Sequence, residues 1–582
     1  GAPRADPGPV TQPLPNDPRN IWCMLYGLDT FDKLFTPRQL VALTTFSDLV
    51  AEAREKVLAD ARAAGLPDDP TPLHTGGAGA TGYADAVATY LALIVGRSAD
   101  AWSSITSWSS TGEFIRNTFA RQAIPMVWDY SECNPFSGST GNFNNEIEWT
   151  SAALAGVPAI APGAISQVIA QTNHFGPLPA LISTDPPYYD NVGYADLSDF
   201  FYAWLKRCLS TAWPSLFRRL TTPKDDELVA TPYRHGGRAG AEAFFIGGMS
   251  EALTAMRKAA VTDAPLAIYY AFKQSEVAED GITSPGWASF LQATVDAGLG
   301  IDGTWPVRTE RGARTISIGT NSLASSIVLV CRKRAEQAPT AARADFLRAL
   351  KRELPAAIED IRKAGVGPVD MQQSVIGPGM GIFSRYTRVL EDDDNPMTVR
   401  TALALINRVW EEIENELDAA FDPETQVALA WFATYGFDPR PSGELITLAN
   451  AKNIPLEALF NCGVFQNLHG KAKLIARTDP SQNPHPPADR TATVWTCVQH
   501  AARALRSEEG GGEAAAALVA AMGPKAEAAR ALAYRLFEIA TRKSWASEAL
   551  VYNELAEEWP HLEELASDHA KRRAAPVQPA LI

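Results

Sequence analysis

Residues 179–207 read PALISTDPPYYDNVGYADLSDFFYAWLKR. The apolar run 179–184 predicts a short buried strand, and 196–209 predicts a helix with an aromatic face of Phe200, Phe201 and Trp204. Between them stands Asp185-Pro186-Pro187-Tyr188. It sits at the carboxyl end of the strand, the edge at which open α/β sheets bind their ligands. Two consecutive prolines fix φ and remove both backbone N–H donors, so the corner is stiff and offers acceptors only. Asp185 adds a carboxylate and Tyr188 a flat aromatic face.

Such a corner suits the exocyclic amine of a planar base, whose nitrogen lone pair is delocalised into the ring. If the Asp185 carboxylate and the Pro186 carbonyl each accept one N–H, the lone pair turns towards a methyl donor. Tyr188 then stacks on the ring and fixes the angle of attack. In duplex DNA the base must first leave the stack. Two plainer readings of the same letters stay open. Pro186-Pro187-Tyr188-Tyr189 also spells the PPxY ligand of WW domains, and the four residues also suit a structural turn.

Strand and helix patterns alternate around this corner. Helices are predicted over 241–260, with Phe245, Met249, Leu253 and Met256 on one face, and over 287–297; strands are predicted over 266–272 and 325–333. The alternation predicts an α/β class with a largely parallel, Rossmann-like layered sheet over 124–342. Upstream, residues 1–30 are Pro-rich and predict a leader or linker. Residues 31–123 predict a helical region, in which Thr36 is an N-cap, Pro37 the first helical residue, and Gly65 the end of the first long helix. Downstream, 343–422 reads as a helical connector and 423–475 as a winged-helix-like module. The hairpin of that module turns at His469-Gly470, with Lys471 and Lys473 on its wing. Residues 490–582 read as a C-terminal helical domain.

The chain has 582 residues, 46% of them hydrophobic and 20% charged, enough for several cores. The 41 glycines and 41 prolines exclude collagen and wholesale disorder. No apolar run approaches the roughly 18 residues a membrane helix needs. A formal charge of −15 argues against a protein that coats nucleic acid non-specifically, yet leaves room for a basic cleft on an acidic body. The six cysteines are scattered without CxxC spacing, which excludes a zinc ribbon and gives no metal site. Isolated thiols suit a reducing cytoplasm.

The segment STDPPYYDNVGYADLSDFFYAWLKR (183–207) resembles the amino-group nucleic-acid methyltransferases, whose fourth motif is (D/N/S)PP(Y/F). It is especially similar to large bacterial adenine-specific DNA methylases linked to anti-phage defence. The similarity extends through FTPRQLVALTTFSDLV (35–50), VWDYSECNPFSGSTGNF (127–143) and ELVATPYRHGG (227–237). It continues in IYYAFKQ (268–274), TWPVRTERGAR (304–314) and ASSIVLVCRKR (324–334). The resemblance implies S-adenosylmethionine as cofactor, adenine N6 in DNA as acceptor, and catalytic roles for Asp185, Pro186, Pro187 and Tyr188. An Asp in the first position favours adenine over cytosine.

The family also carries a DPFxGxG-type cofactor turn far upstream. Here its imitation is Asn134-Pro135-Phe136-Ser137-Gly138-Ser139-Thr140-Gly141, with Asn for Asp and Gly141 one place late. It ends 44 residues before Asp185, whereas a βαβ unit takes about 30 residues and two units normally separate the motifs. Phe136 and Gly138 are the candidate cofactor contacts, and Gly377-Pro378-Gly379-Met380-Gly381 suggests a permuted alternative. The corner therefore reads as part of a site whose cofactor half lies on a second polypeptide or on a missing N-terminal half. For DNA, Arg308, Arg311 and Arg314 after a predicted strand, and Tyr233, Arg234 and Arg238 in a Gly-rich loop beside His235, are candidate phosphate contacts. Solvated surface arginines are the alternative. The expected function is an adenine-N6 DNA methyltransferase subunit, the modification arm of a restriction-like or anti-phage system. The alternatives are a catalytically inactive DNA-recognition or scaffold subunit on a methylase fold, and an RNA amino-methyltransferase.

Overall fold

Thr36 caps the first long helix, α1 (Pro37–Ala63), of the computed structural model. Its hydroxyl accepts from the Gln39 amide while the Gln39 side chain accepts from the Thr36 amide, so two orphan donors are satisfied reciprocally. Gly65, at φ 88°, follows the helix as the sequence predicts. The structure describes residues 8–157, 163–172, 179–189, 192–270, 285–308, 325–478, 492–507 and 511–574. The chain divides into two compact units.

The first unit comprises Gly1–Ile169 and Tyr189–Phe245. Beyond α1 it holds α2 (Ala80–Ala101), the hairpin β1 (Ser107–Ser109) and β2 (Phe114–Arg116), α3 (Phe143–Gly156), α4 (Tyr194–Leu209) and the start of α5 (Arg238–Ala259). Phe200 and Trp204 of the aromatic helix face are core residues, packed with Leu43, Val95 and Trp102. The β1–β2 hairpin departs from the all-helical expectation for 31–123. The Pro-rich leader departs from the linker expectation: Val10, Leu14, Ile21 and Cys23 are buried in the same core. Its backbone is tied down as well, with the Trp22 amide donating to the Ile124 carbonyl at 3.0 Å. Prolines interrupt regular structure there without preventing burial.

The second unit, Ala170–Tyr188 and Ile246–Ile582, is built on a four-stranded sheet. Its order is β3 (Ser183–Thr184), β4 (Leu266–Tyr270), β6 (Ser325–Lys333) and β5 (Leu299–Arg308). β3 and β4 are parallel, with Thr184 level with Ile268. β6 runs antiparallel to both β4 and β5. Among the described residues the sheet thus has one parallel pair and two antiparallel pairs, not the largely parallel arrangement expected. β5 pairs directly with the next strand in sequence, and such neighbours need no helical crossover. The β3–β4 pair does need one. Residues 185–265 supply it and carry α4 and α5. Alternation along β4 buries Leu266, Ile268 and Tyr270 and leaves Tyr269 39% exposed. α6 (Pro285–Asp296) contributes Trp287, Phe290 and Leu291 to the core.

A small parallel pair, β7 (Thr340–Ala342) and β8 (Arg388–Leu390), accompanies α7 (Arg343–Lys363), α8 (Pro368–Ser384) and α9 (Val399–Ala420). The Gly377–Gly381 motif lies inside α8, not in a loop. A Cβ on Gly377 would lie 2.4 Å from the Thr304 amide nitrogen, and one on Gly381 would lie 2.8 Å from the Ile301 carbonyl oxygen. On the other side, a Cβ on Gly379 would lie 2.7 Å from Ile406 of α9. Pro378 cannot donate to the Ser374 carbonyl four residues earlier; the Thr304 hydroxyl does so instead, at 3.2 Å. The Ile301 amide donates to the Ser384 hydroxyl at 2.8 Å. These glycines serve close helix–strand packing, which overturns the permuted cofactor loop. Within residues 343–422, expected as a helical connector, α8 packs closely on β5 through Ser374, Gly377, Gly381 and Ser384.

The rest of the second unit begins with α10 (Pro423–Tyr435), β9 (Arg440–Pro441), α11 (Ser442–Ala451), α12 (Leu456–Asn461) and the hairpin β10 (Phe465–Leu468) and β11 (Lys471–Leu474). β9 pairs with β11. His469 and Gly470 form the hairpin turn at φ 46° and 89°, the positive values a type I′ turn requires. The helices α13 (Val494–Leu505), α14 (Gly511–Met522), α15 (Lys525–Arg542) and α16 (Ala546–Ala574) follow. α10 and α13 are joined at their starts. Asp422 accepts from the Val494 amide at 2.9 Å, and the Thr425 hydroxyl accepts from the Trp495 amide at 3.0 Å. Burial pushes the thiols of Cys23, Cys133, Cys208 and Cys462 up to about 11, and all six cysteines are unpaired. Among the described residues, no helix is long and apolar enough to cross a membrane.

Candidate active site

Asp185 follows β3 directly and is exposed; Pro186 is buried, and Pro187 and Tyr188 are half-buried. The Tyr188 hydroxyl donates to Asp185 Oδ1 at 2.8 Å. The Tyr188 ring meets Tyr270 edge to face, with centroids 5.2 Å apart and planes at 64°. Tyr270 is 2% exposed. It stacks on Phe290 at 4.5 Å and lies 5.1 Å from the Trp287 ring. The corner therefore stands on a buried aromatic tier, with its carboxylate facing solvent. Tyr189, the next residue, takes φ 38°, a left-handed conformation costly for a bulky side chain. It is the first residue of the returning segment of the first unit, where its carbonyl accepts from the Ala230 amide at 2.8 Å and its ring meets Phe245 at 5.1 Å.

Sheet topology sets what shares the edge with the corner. β6 is antiparallel to both its neighbours, so β5 runs in the same direction as β3 and β4. Thr184, Tyr270 and Arg308 end their strands at one edge. Three strand spacings separate the β3 and β5 ends, about 14 Å. The sheet thus brings Asp185 and Arg308 to the same edge; Arg311 and Arg314 lie outside the described residues.

Tyr233, Arg234 and Arg238 lie ahead of and at the start of α5, in the first unit. The Arg234 side chain is only 8% exposed and pairs with Asp196 and with Glu227. The Tyr233 hydroxyl donates to Asp196 at 3.0 Å. Burial raises the Asp196 carboxyl above the usual carboxylate range, opposed by the Arg234 charge. Burial and the Asp196 charge push the Tyr233 hydroxyl up to about 12. Glu227 also accepts from the Ala195 amide at 2.8 Å, so the cluster secures the first turn of α4. Arg234, expected at a phosphate-gripping rim, is instead committed to buried carboxylates. Arg238 is exposed.

The turn 134–141 also belongs to the first unit. Phe136 is 85% exposed and its amide donates to Asn134 Oδ1 at 3.0 Å. Gly138 has open space where a Cβ would go, whereas Gly141, at φ 77°, has the Cys133 sulfur 2.5 Å from that position. The turn runs into α3, whose N-cap Asn142 accepts from the Asn145 amide at 2.9 Å. A helix N-terminus after a glycine-bearing turn is one half of a cofactor cradle; the other half is a strand leading in. Among the described residues no strand does so, β2 having ended at Arg116. The described residues form no complete strand–turn–helix cradle for an adenosyl cofactor.

Two groups escaped the sequence reading. Tyr270 and its aromatic neighbours are the support of the corner, and the alternation Leu266, Ile268, Tyr270 carried that signal. The Asp196–Arg234–Glu227 cluster joins residues 38 apart, with no periodicity to announce it. Residues 422–581 match the family described as a domain of unknown function (DUF8807), which spans both the expected module at 423–475 and most of the helices after it. No curated protein and no solved structure matches the chain.

Proposed function

We propose that this chain is the acceptor-holding subunit of an amino-group methyltransferase that acts on adenine N6 of a flipped base in DNA. The observation that carries the reading is the Asp185–Tyr188 corner: it has no backbone donors at its two prolines, its carboxylate is exposed, and it ends a strand paired in parallel with its neighbour. Asp185 and the Pro186 carbonyl take the two amine hydrogens, and Tyr188, braced on Tyr270, stacks on the purine. S-adenosylmethionine, when bound, supplies an electrophilic methyl group. The described residues form no complete cradle for it, so on this reading a second polypeptide or a further half of the sheet holds it. The two sheet edges support that division. Among the described residues α8 packs on β5, whereas β3 has one neighbouring strand, and Ser183 and the preceding Leu181 are exposed.

Arg308 at the shared edge and the exposed Arg238 are the DNA contacts this reading retains, with the exposed Lys471 of the hairpin as a further one. A winged-helix-like role for 423–475 is supported by its order of helix, strand, two helices and hairpin. The cytoplasmic setting rests on the unpaired thiols, and the anti-phage setting on the resemblance alone. A second reading, a DNA-recognition scaffold without catalysis, is favoured by the incomplete cradle. Expression with its full genomic neighbourhood in a host lacking adenine methylation separates the two. New N6-methyladenine that disappears in Asp185→Ala supports the first reading; methylation unchanged by that substitution overturns it.

A further inference from the structure

A second cleft lies within residues 422–581. It opens between the end of the β10–β11 hairpin and α13 and measures about 310 Å³, mouth included. Its polar lining is one-sided: Arg477, Trp495, Gln499, His500 and Arg503 border it with Thr496, and no carboxylate does among the described residues. Two donors there are buried and unpaired among the described residues. One is the indole N–H of Trp495, a side chain in a residue 1% exposed; the other is Nη1 of Arg503. Both groups can only donate. A buried donor left without an acceptor is costly, and it marks a place where an acceptor belongs.

The remaining walls are already fixed. Arg477 pairs with Glu548, Gln499 donates to the Tyr552 hydroxyl at 2.9 Å, and the Thr496 hydroxyl donates to the Thr493 carbonyl at 2.9 Å. These bonds hold three of the walls, while the two unpaired donors are covered and meet a ligand only as the side chains over them shift. A partner for one indole N–H and one guanidinium N–H, beside a second guanidinium, is an oxyanion, and such bonds are charge-assisted. A terminal phosphate presents three oxygens to such a cleft, while a backbone phosphodiester presents two between bulky sugars.

We propose that this cleft binds the terminal phosphate of a small molecule. The proposal is independent of the methyl-transfer reading. Calorimetric titration of the full chain with inorganic phosphate, against chloride at equal ionic strength, tests it. Saturable one-site binding is expected, weakened about tenfold or more by Trp495→Phe and by Arg503→Gln. Trp495→Phe deletes one donor and also trims the buried indole to a single ring, so its melting temperature without phosphate should fall, and binding is compared at a temperature where both proteins are folded. That variant carries the test if Arg503→Gln proves unstable. No saturation, or equal binding by wild type and Trp495→Phe, means an adventitious ion only and overturns the proposal. Displacement of phosphate by duplex DNA with the same dependence on Trp495 would assign the donors to backbone phosphate and overturn the small-molecule assignment.

Discussion

The Tyr188 hydroxyl donates to the Asp185 carboxylate at 2.8 Å, so the flat face and the acceptor of the corner are tied to each other. The tether orients Asp185 and holds the Tyr188 ring edge-on to Tyr270. On the proposed reading the two residues contribute differently. Asp185→Ala should lower methyl incorporation into DNA by about 10²-fold or more, with DNA affinity nearly unchanged. Tyr188→Phe keeps the ring and should lose less than about tenfold. Tyr188→Ala removes the stacking surface and should cost about 1–3 kcal/mol in productive binding. Equal losses in Tyr188→Phe and Tyr188→Ala would assign the effect to the tether.

Gly377→Ala and Gly381→Ala should each destabilise the protein by about 1–3 kcal/mol in urea unfolding. In both cases the new methyl meets strand backbone, 2.4 Å from Thr304 N and 2.8 Å from Ile301 O, which no side-chain rotation relieves. Gly247→Ala is the counterpart. It lies within α5 with nothing inside 4 Å, and it should stabilise by up to about 1 kcal/mol.

Arg234→Met should unfold the protein more readily, by about 3–5 kcal/mol, because it leaves Asp196 and Glu227 without their buried cation. Arg238→Ala, on an exposed side chain, should stay within about 0.5 kcal/mol. Melting curves of the two variants distinguish them. A stable Arg234→Met with weakened DNA binding would return this arginine to the phosphate rim.

Glu538 gives the protein a pH dependence. Burial first, then the neighbouring Glu414 charge, raises its carboxyl from 4.5 to about 7, against the opposing pull of Arg535. Between those values the folded chain keeps a proton that the unfolded chain releases, so stability falls as pH rises through that window and stays lower above it. The contribution is of order 1–3 kcal/mol. Glu538→Gln should therefore compare more favourably with wild type at pH 8 than at pH 5, as read by urea unfolding at both. An unchanged difference would contradict the raised value.

Much of this was legible where the signal is local. The α1 cap needs only Thr36, Pro37 and Gln39, and the His469-Gly470 turn needs only two residues tolerant of positive φ. The corner at Asp185 was visible because two prolines constrain their own backbone regardless of context. Glycines misled for the opposite reason. Gly377, Gly379 and Gly381 spell a loop, but the absent side chains admit β5 and α9, which are distant in sequence. Arg234 is a similar case. Its fate depends on Asp196 in a helix that the sequence does not reveal as its neighbour. Strand direction also escaped, since the pattern of β6 is equally apolar whichever way it runs.

The crossover between β3 and β4 bears on how the molecule is assembled as it is made. The two strands are adjacent in the sheet, yet about 80 residues of chain lie between them, most of that excursion spent in the other unit. Neither unit is a continuous piece of polypeptide, so no single truncation releases one intact. On the ribosome, the edge that carries Asp185 waits unzipped until β4 has emerged, a non-local closure of the kind that slows folding.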